Sequence, residues 1–140
     1  AKLGAAPRTI VVSEDEWLAR LYPDEIVAVA DYARCAARLR EAMTPHLVML
    51  LKAGVTIVLD FPANTLLTRA WMHSLLEEAG VPHQLHYLAT PDALCRARLH
   101  ARNASGHPII VSDEKFDAIT GYFVPPTAEE GFNVVIHQPE

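Results

Sequence analysis

Cysteine is scarce in this chain: among 140 residues there are two, Cys35 and Cys95, far apart and in no Cys-x-x-Cys pair. That excludes a disulfide framework and a structural zinc site, and it fits a reducing, cytoplasmic setting. Long apolar runs are missing as well. The longest nearly apolar run, residues 47–51, falls far short of the ~20 residues that a membrane-spanning helix needs. No amino-terminal stretch joins a basic lead to an apolar core, so the sequence predicts no secretory leader and no membrane partner. Positive charge is in deficit, with 12 Lys and Arg against 17 Asp and Glu, a net charge of -5. An acidic balance argues against broad nucleic-acid binding, although one local basic pocket remains compatible with it. The Gly-x-Ser-x-Gly signature of many esterases is absent. What remains is ordinary globular composition, 51% hydrophobic and 21% charged, at a length that suits one domain over residues 1–140.

The pattern along the chain alternates. Thr9-Ile10-Val11-Val12 reads as a buried strand. Ser13 with Glu16 three residues later reads as a capping box opening a short helix that Pro23 stops. Residues 24–52 are rich in Ala, Arg, Leu and Glu and read as long helix, broken or kinked near Thr44-Pro45, with Leu39, Met43 and Leu47 on one face. Val55-Thr56-Ile57-Val58-Leu59 is the clearest strand, apolar enough to be covered on both faces, and it runs into Asp60. Asn64 or Thr65 caps the next helix, on which Leu67, Trp71 and Leu75 share a face. A strand over residues 84–88 follows, then a helix opened by Thr90 and Pro91, a polar loop at residues 103–107, a short helix after Ser112-Asp113 and a last strand at residues 133–137. Strand and helix in alternation predict an α/β domain: a mostly parallel sheet with helices on both faces and residues 55–59 at its centre.

In such sheets ligands bind beyond the carboxyl ends of the strands. Asp15 and Asp60 both lie just past strand ends, so they are expected to share one crevice. A carboxylate at Asp60 suits Mg²⁺, a hard cation that prefers oxygen ligands; the plainer alternative is a loop salt bridge. Asp15 suits acceptance of a hydroxyl proton, against the alternative of a favourable charge in a helix first turn. Arg98 and Arg102 are four apart on one helical face with Arg96 nearby, a spacing that suits phosphate oxygens or, more blandly, a solvated basic face. Arg69 carries the same ambiguity. Trp17, Tyr22, Tyr32 and Arg34 are able to stack on or pair with a ligand, against the commoner alternative that aromatics at helical spacing are core. The seven histidines show no ligand spacing: His83 and His86, three apart along a strand, fall on opposite faces, and His46, His73, His100, His107 and His137 are dispersed. The sequence therefore predicts no bound transition metal.

Taken in order, these segments resemble the small P-loop kinase family, which includes zeta-toxin-like kinases, gluconate kinases, chloramphenicol phosphotransferase and the kinase half of phage polynucleotide kinase. The resemblance rests on Leu3-Gly4-Ala5 followed by residues 10–13 with Asp15, residues 55–60 with Asn64 and Arg69, residues 85–91, Arg98-Leu99 with Arg102-Asn103, and Phe123, Pro125-Pro126 and Glu129-Glu130-Gly131. It implies a three-layer P-loop NTPase-like fold, with ATP and Mg²⁺ as cofactors and a lid at residues 96–115. It further implies transfer of the γ-phosphoryl group to a hydroxyl of a small molecule or nucleotide. Asp15, Arg98 and Arg102 take catalytic roles in that reading, Arg98 and Arg102 also contact the nucleotide, and Asp60 serves the metal. The family's Gly-x-x-x-x-Gly-Lys-Ser/Thr loop does not occur within these 140 residues. Ala1 to Ala6 reads as the end of a helix, and the resemblance implies that the loop and its strand precede Ala1. Two alternatives stay open: a non-catalytic nucleotide-fold module acting by binding or homodimerisation, and an ATPase with no small-molecule acceptor.

Overall fold

The computed structural model describes residues 3–106 and 111–139. Its elements alternate: a 3-10 turn at Leu3–Ala5, then β1 (Thr9–Ser13), α1 (Glu14–Leu21), α2 (Val29–Lys52), β2 (Thr56–Asp60), α3 (Leu66–Ala79), β3 (Leu85–Leu88), α4 (Asp92–Ala104), α5 (Asp113–Gly121), a 3-10 turn at Ala128–Glu130, and β4 (Val134–His137). This is the expected α/β class, and both strand pairings are parallel. The expectation of a single sheet does not hold: β1 pairs with β2 and β3 with β4, as two two-stranded ladders. The chain divides into two compact units, Ala1–Ala63 with Trp71–Val81, and Asn64–Ala70 with Pro82–Glu140. No helix among the described residues is long and apolar enough to cross a membrane.

The first unit is built on α2. Cys35, Ala36, Leu39, Met43, Leu47 and Val48 recur at three- and four-residue spacing and are buried against Val12, Leu18 and Leu75. Burying a side chain such as Leu18, which is fully inaccessible, is worth about 1.5–3 kcal/mol. The expected break at Thr44-Pro45 is absent, and α2 runs on through Pro45. Thr44 Oγ1 donates to the Arg40 carbonyl (2.6 Å) and accepts from Trp71 Nε1 (2.9 Å), so the hydroxyl next to the proline is used on both sides. Asp31, not a hydroxyl residue, serves the start of α2: its Oδ2 accepts from Ala28 N–H at 3.0 Å and Val27 N–H at 3.3 Å.

Several local expectations need correction. Residues 9–12 are not a buried strand: Ile10 and Val11 are exposed and only Val12 enters the core. β2 is half-buried along its middle and exposed at both ends, and among the described residues β1 is its one partner strand. Ser13 does stand at the start of α1, but its side chain makes no capping bond, and Glu16 is exposed. The cap before α4 is Pro91 rather than Thr90, and α4 extends through Asn103 to Ala104, replacing the start of the expected loop. Leu67 is 76% exposed and does not share the burial of Leu75. Thr65 does cap α3, its Oγ1 accepting from Thr68 N–H at 3.2 Å. Ala1, Lys2 and residues 107–110, which fall within the expected front helix and the expected lid, lie outside the described residues.

In the second unit, Arg69 is fully buried and donates from Nε to Glu130 Oε1 at 2.7 Å. The other oxygen of that carboxylate accepts from Thr127 N–H at 2.8 Å. Val124 N–H donates to the Asn64 carbonyl at 2.7 Å. These bonds hold the Pro125-Pro126 segment on the start of α3, and Phe123 stacks on Tyr87 of β3 at 5.9 Å between ring centres.

Candidate functional site

The β1–β2 ladder is in register with Ser13 opposite Asp60, so both strands end at the same level. Asp60 is the last residue of β2 and is exposed; Asp15 lies two residues past the end of β1, in the first turn of α1. The two carboxylates named from the sequence thus stand at one end of one ladder. Negative charge in the first turn of α1 is favoured by the helix dipole.

Next to Asp15, at the start of α1, stands a third carboxylate, Glu14, that the sequence reading passed over. Glu14 is 1% exposed, and the Tyr32 hydroxyl of α2 donates to its Oε1. Removal from water raises its carboxyl above the ordinary value of 4.5; the Tyr32 bond and Arg40 act the other way, while Asp15 and Asp60 add to the rise. The same burial and the facing carboxylate push the Tyr32 phenol upward. Glu14 was hidden because it sits in the acidic run Glu14-Asp15-Glu16, which reads as a solvated helix start. The alternation of β1 carried one step further, with Val12 inside, puts Glu14 on the inner side as well, and that was the available signal. Tyr32 is thereby committed to Glu14, and Arg34 to an exposed pair with Asp31 at 3.3 Å, while Trp17 is 45% exposed.

The arginines belong to the second unit. Arg98 and Arg102 lie on α4 four residues apart, flanking the buried Leu99. Arg98 is exposed, and Arg102 Nε is buried with no hydrogen-bond partner among the described residues. Arg96 is spent on structure: it donates to Asp113 Oδ1 (3.0 Å) and to Asp117 Oδ1, and lies 4.7 Å over the Phe116 ring. His100 Nε2 is 2.7 Å from the same Asp113 oxygen, and Asn103 bonds Val111 through both its amide atoms. These contacts clamp α4 to α5. The His100 contact, then Arg96, hold the Asp113 carboxyl below the usual carboxylate range.

A cavity of about 320 Å³ lies at the opposite end of the β1–β2 ladder, lined by Arg8, Thr9, Ile10, Ala53, Gly54 and Val55. Strand polarity favours the Asp60 end for ligand chemistry, since parallel strands present their ligands at the carboxyl ends. Among the described residues no group of three or more His, Cys, Asp or Glu side chains is arranged to hold a metal ion. An exposed carboxylate at Asp60 still fits Mg²⁺, which binds through one or two carboxylates and keeps several waters. The unpartnered buried Nε of Arg102 fits an anion.

A family model described as AAA domain matches residues 1–126 of the chain. No curated protein matches it.

Proposed function

The chain belongs to the AAA domain family, a P-loop NTPase-like family of nucleotide-binding proteins, and on that footing we propose that it serves transfer of the ATP γ-phosphoryl group to a hydroxyl of a small molecule or nucleotide. The observation that carries this reading is the register of Ser13 with Asp60, which sets Asp60 and Asp15 at the shared carboxyl end of two parallel strands. Asp15 orients the acceptor hydroxyl and takes its proton as the oxygen bonds to phosphorus and the bond to the ADP oxygen breaks. Asp60 would hold Mg²⁺, directly or through water, and the ion would supply charge neutralisation at the phosphates. Arg98 and Arg102 offset charge on the transferring group, an electrostatic task that asks nothing of them but position.

The test is a γ-labelled ATP transfer assay against a panel of nucleosides and small alcohols, run on wild type and Asp15→Asn. Label transferred to an acceptor by wild type and lost in the variant supports the reading. Hydrolysis that no acceptor stimulates would make the protein an ATPase. Absence of nucleotide binding by calorimetry would overturn both.

A further inference from the structure

We propose that His86 and His137 form a binding site for a divalent transition-metal ion, a two-imidazole clip across β3 and β4. His86 Nδ1 and His137 Nε2 are 2.8 Å apart, although 51 positions separate the residues. The register explains the meeting. His86 pairs with Val135 and Leu88 with His137, so the two histidines stand two rungs apart on one face of a parallel ladder. Spacing along the chain gives no hint of this, because the pairing partner is the final strand.

The chemistry selects the ion. Neutral imidazole suits Zn²⁺, Ni²⁺ and Cu²⁺, whereas Mg²⁺ and Ca²⁺ prefer oxygen. With ligand distances of roughly 2.0–2.1 Å, nitrogens 2.8 Å apart subtend an angle of roughly 85° at the metal. Widening the separation to roughly 3.4 Å gives a tetrahedral angle. His137 is exposed, so rotation of its ring supplies that movement at little packing cost. No third protein ligand is arranged beside them among the described residues, so water completes the shell and the site stays open and exchangeable. The clip lies within the second unit and does not depend on the phosphotransfer reading.

The experiment is calorimetric titration of Zn²⁺ into tag-free protein at pH 8, together with thermal unfolding with and without the ion. One equivalent is expected to bind and to raise Tm. His86→Ala and His137→Ala should each weaken binding by at least ~10-fold, since even outer-shell partners are worth ~10–100-fold. His73→Ala, which removes a ring paired with Glu77 on α3, is the control and should leave binding unchanged. Should His86→Ala perturb folding by circular dichroism, the exposed His137→Ala carries the test. Wild-type affinity in the double variant, or equal competition by Mg²⁺, would overturn the site and leave the contact as a shared-proton hydrogen bond.

Discussion

Arg69 and Glu130, 61 residues apart, form an ion pair in which the guanidinium is fully buried and the carboxylate partly so. Glu130 also accepts from Thr127 N–H, so one side chain binds α3 to the turn before β4. Removing one member of a buried pair costs more than the pair contributes, because the remaining charge keeps its desolvation penalty. Glu130→Ala is therefore expected to destabilise by about 3 kcal/mol, which chemical denaturation will measure. A loss below about 1 kcal/mol would mean that Arg69 is satisfied without it.

The same pair sets an acid limb. The Arg69 bond, ahead of the Thr127 amide, lowers the Glu130 carboxyl below 4.5. A depressed acid contributes stability above its unfolded-state pKa and loses it as pH falls through the folded one. Stability should fall below about pH 4.5 in wild type, and Glu130→Gln should flatten that fall. An unchanged acid limb in the variant would assign the effect to other carboxylates.

Glu14 works in the opposite sense. Its folded-state carboxyl titrates higher than in the unfolded chain, so its contribution is complete below pH 4.5 and lost as pH rises. Glu14→Gln keeps a partner for the Tyr32 hydroxyl and removes the buried charge. The variant is expected to be as stable as wild type near pH 4 and more stable near pH 8, as thermal melts across that range will report. A larger stability loss at pH 8 than at pH 4 would show instead that the ionised carboxyl is held by charge pairing.

Leu18 and the arginines of α4 separate packing from chemistry. Leu18 has no solvent exposure, and Leu18→Ala is expected to cost about 2–5 kcal/mol through lost contacts and a cavity. Arg102→Ala should instead leave Tm within a few degrees and, on the proposed function, lower phosphoryl transfer by ~10³ or more. Turnover and melting temperature measured together decide the matter. Unchanged turnover in both Arg98→Ala and Arg102→Ala would return the two residues to a solvated helix face.

The helices and strands were largely readable because their signals are local. Apolar spacing from Leu39 to Leu47 marked the buried face of α2, Gly54 and Gly80 marked helix ends, and Asp60 marked a strand end. Both glycines adopt positive φ, +89° and +67°, a conformation that costs a side chain dearly. What stayed hidden was decided by pairing and burial. Val11 is as apolar as Val12, yet one faces solvent and the other the core. Arg96, adjacent in pattern to Arg98, is tied down by two aspartates of α5 that no helical spacing connects to it. Glu14 looked like Asp15 and Glu16 in the same acidic run, and the meeting of His86 with His137 needed the β3–β4 register.

Pro45 inside α2 has a consequence for exchange with solvent. The residue brings no amide hydrogen to the ladder, so the helix carries one rung fewer in its carboxyl-terminal half, between the core contacts of Leu39 and those of Leu47 and Val48. Protection of amides against deuterium depends on cooperative opening, and a missing rung is where such cooperativity divides. The amides before and after Pro45 should therefore exchange as two blocks with separate opening free energies, with the side chain of Thr44, bonded to Arg40 and Trp71, as the latch between them.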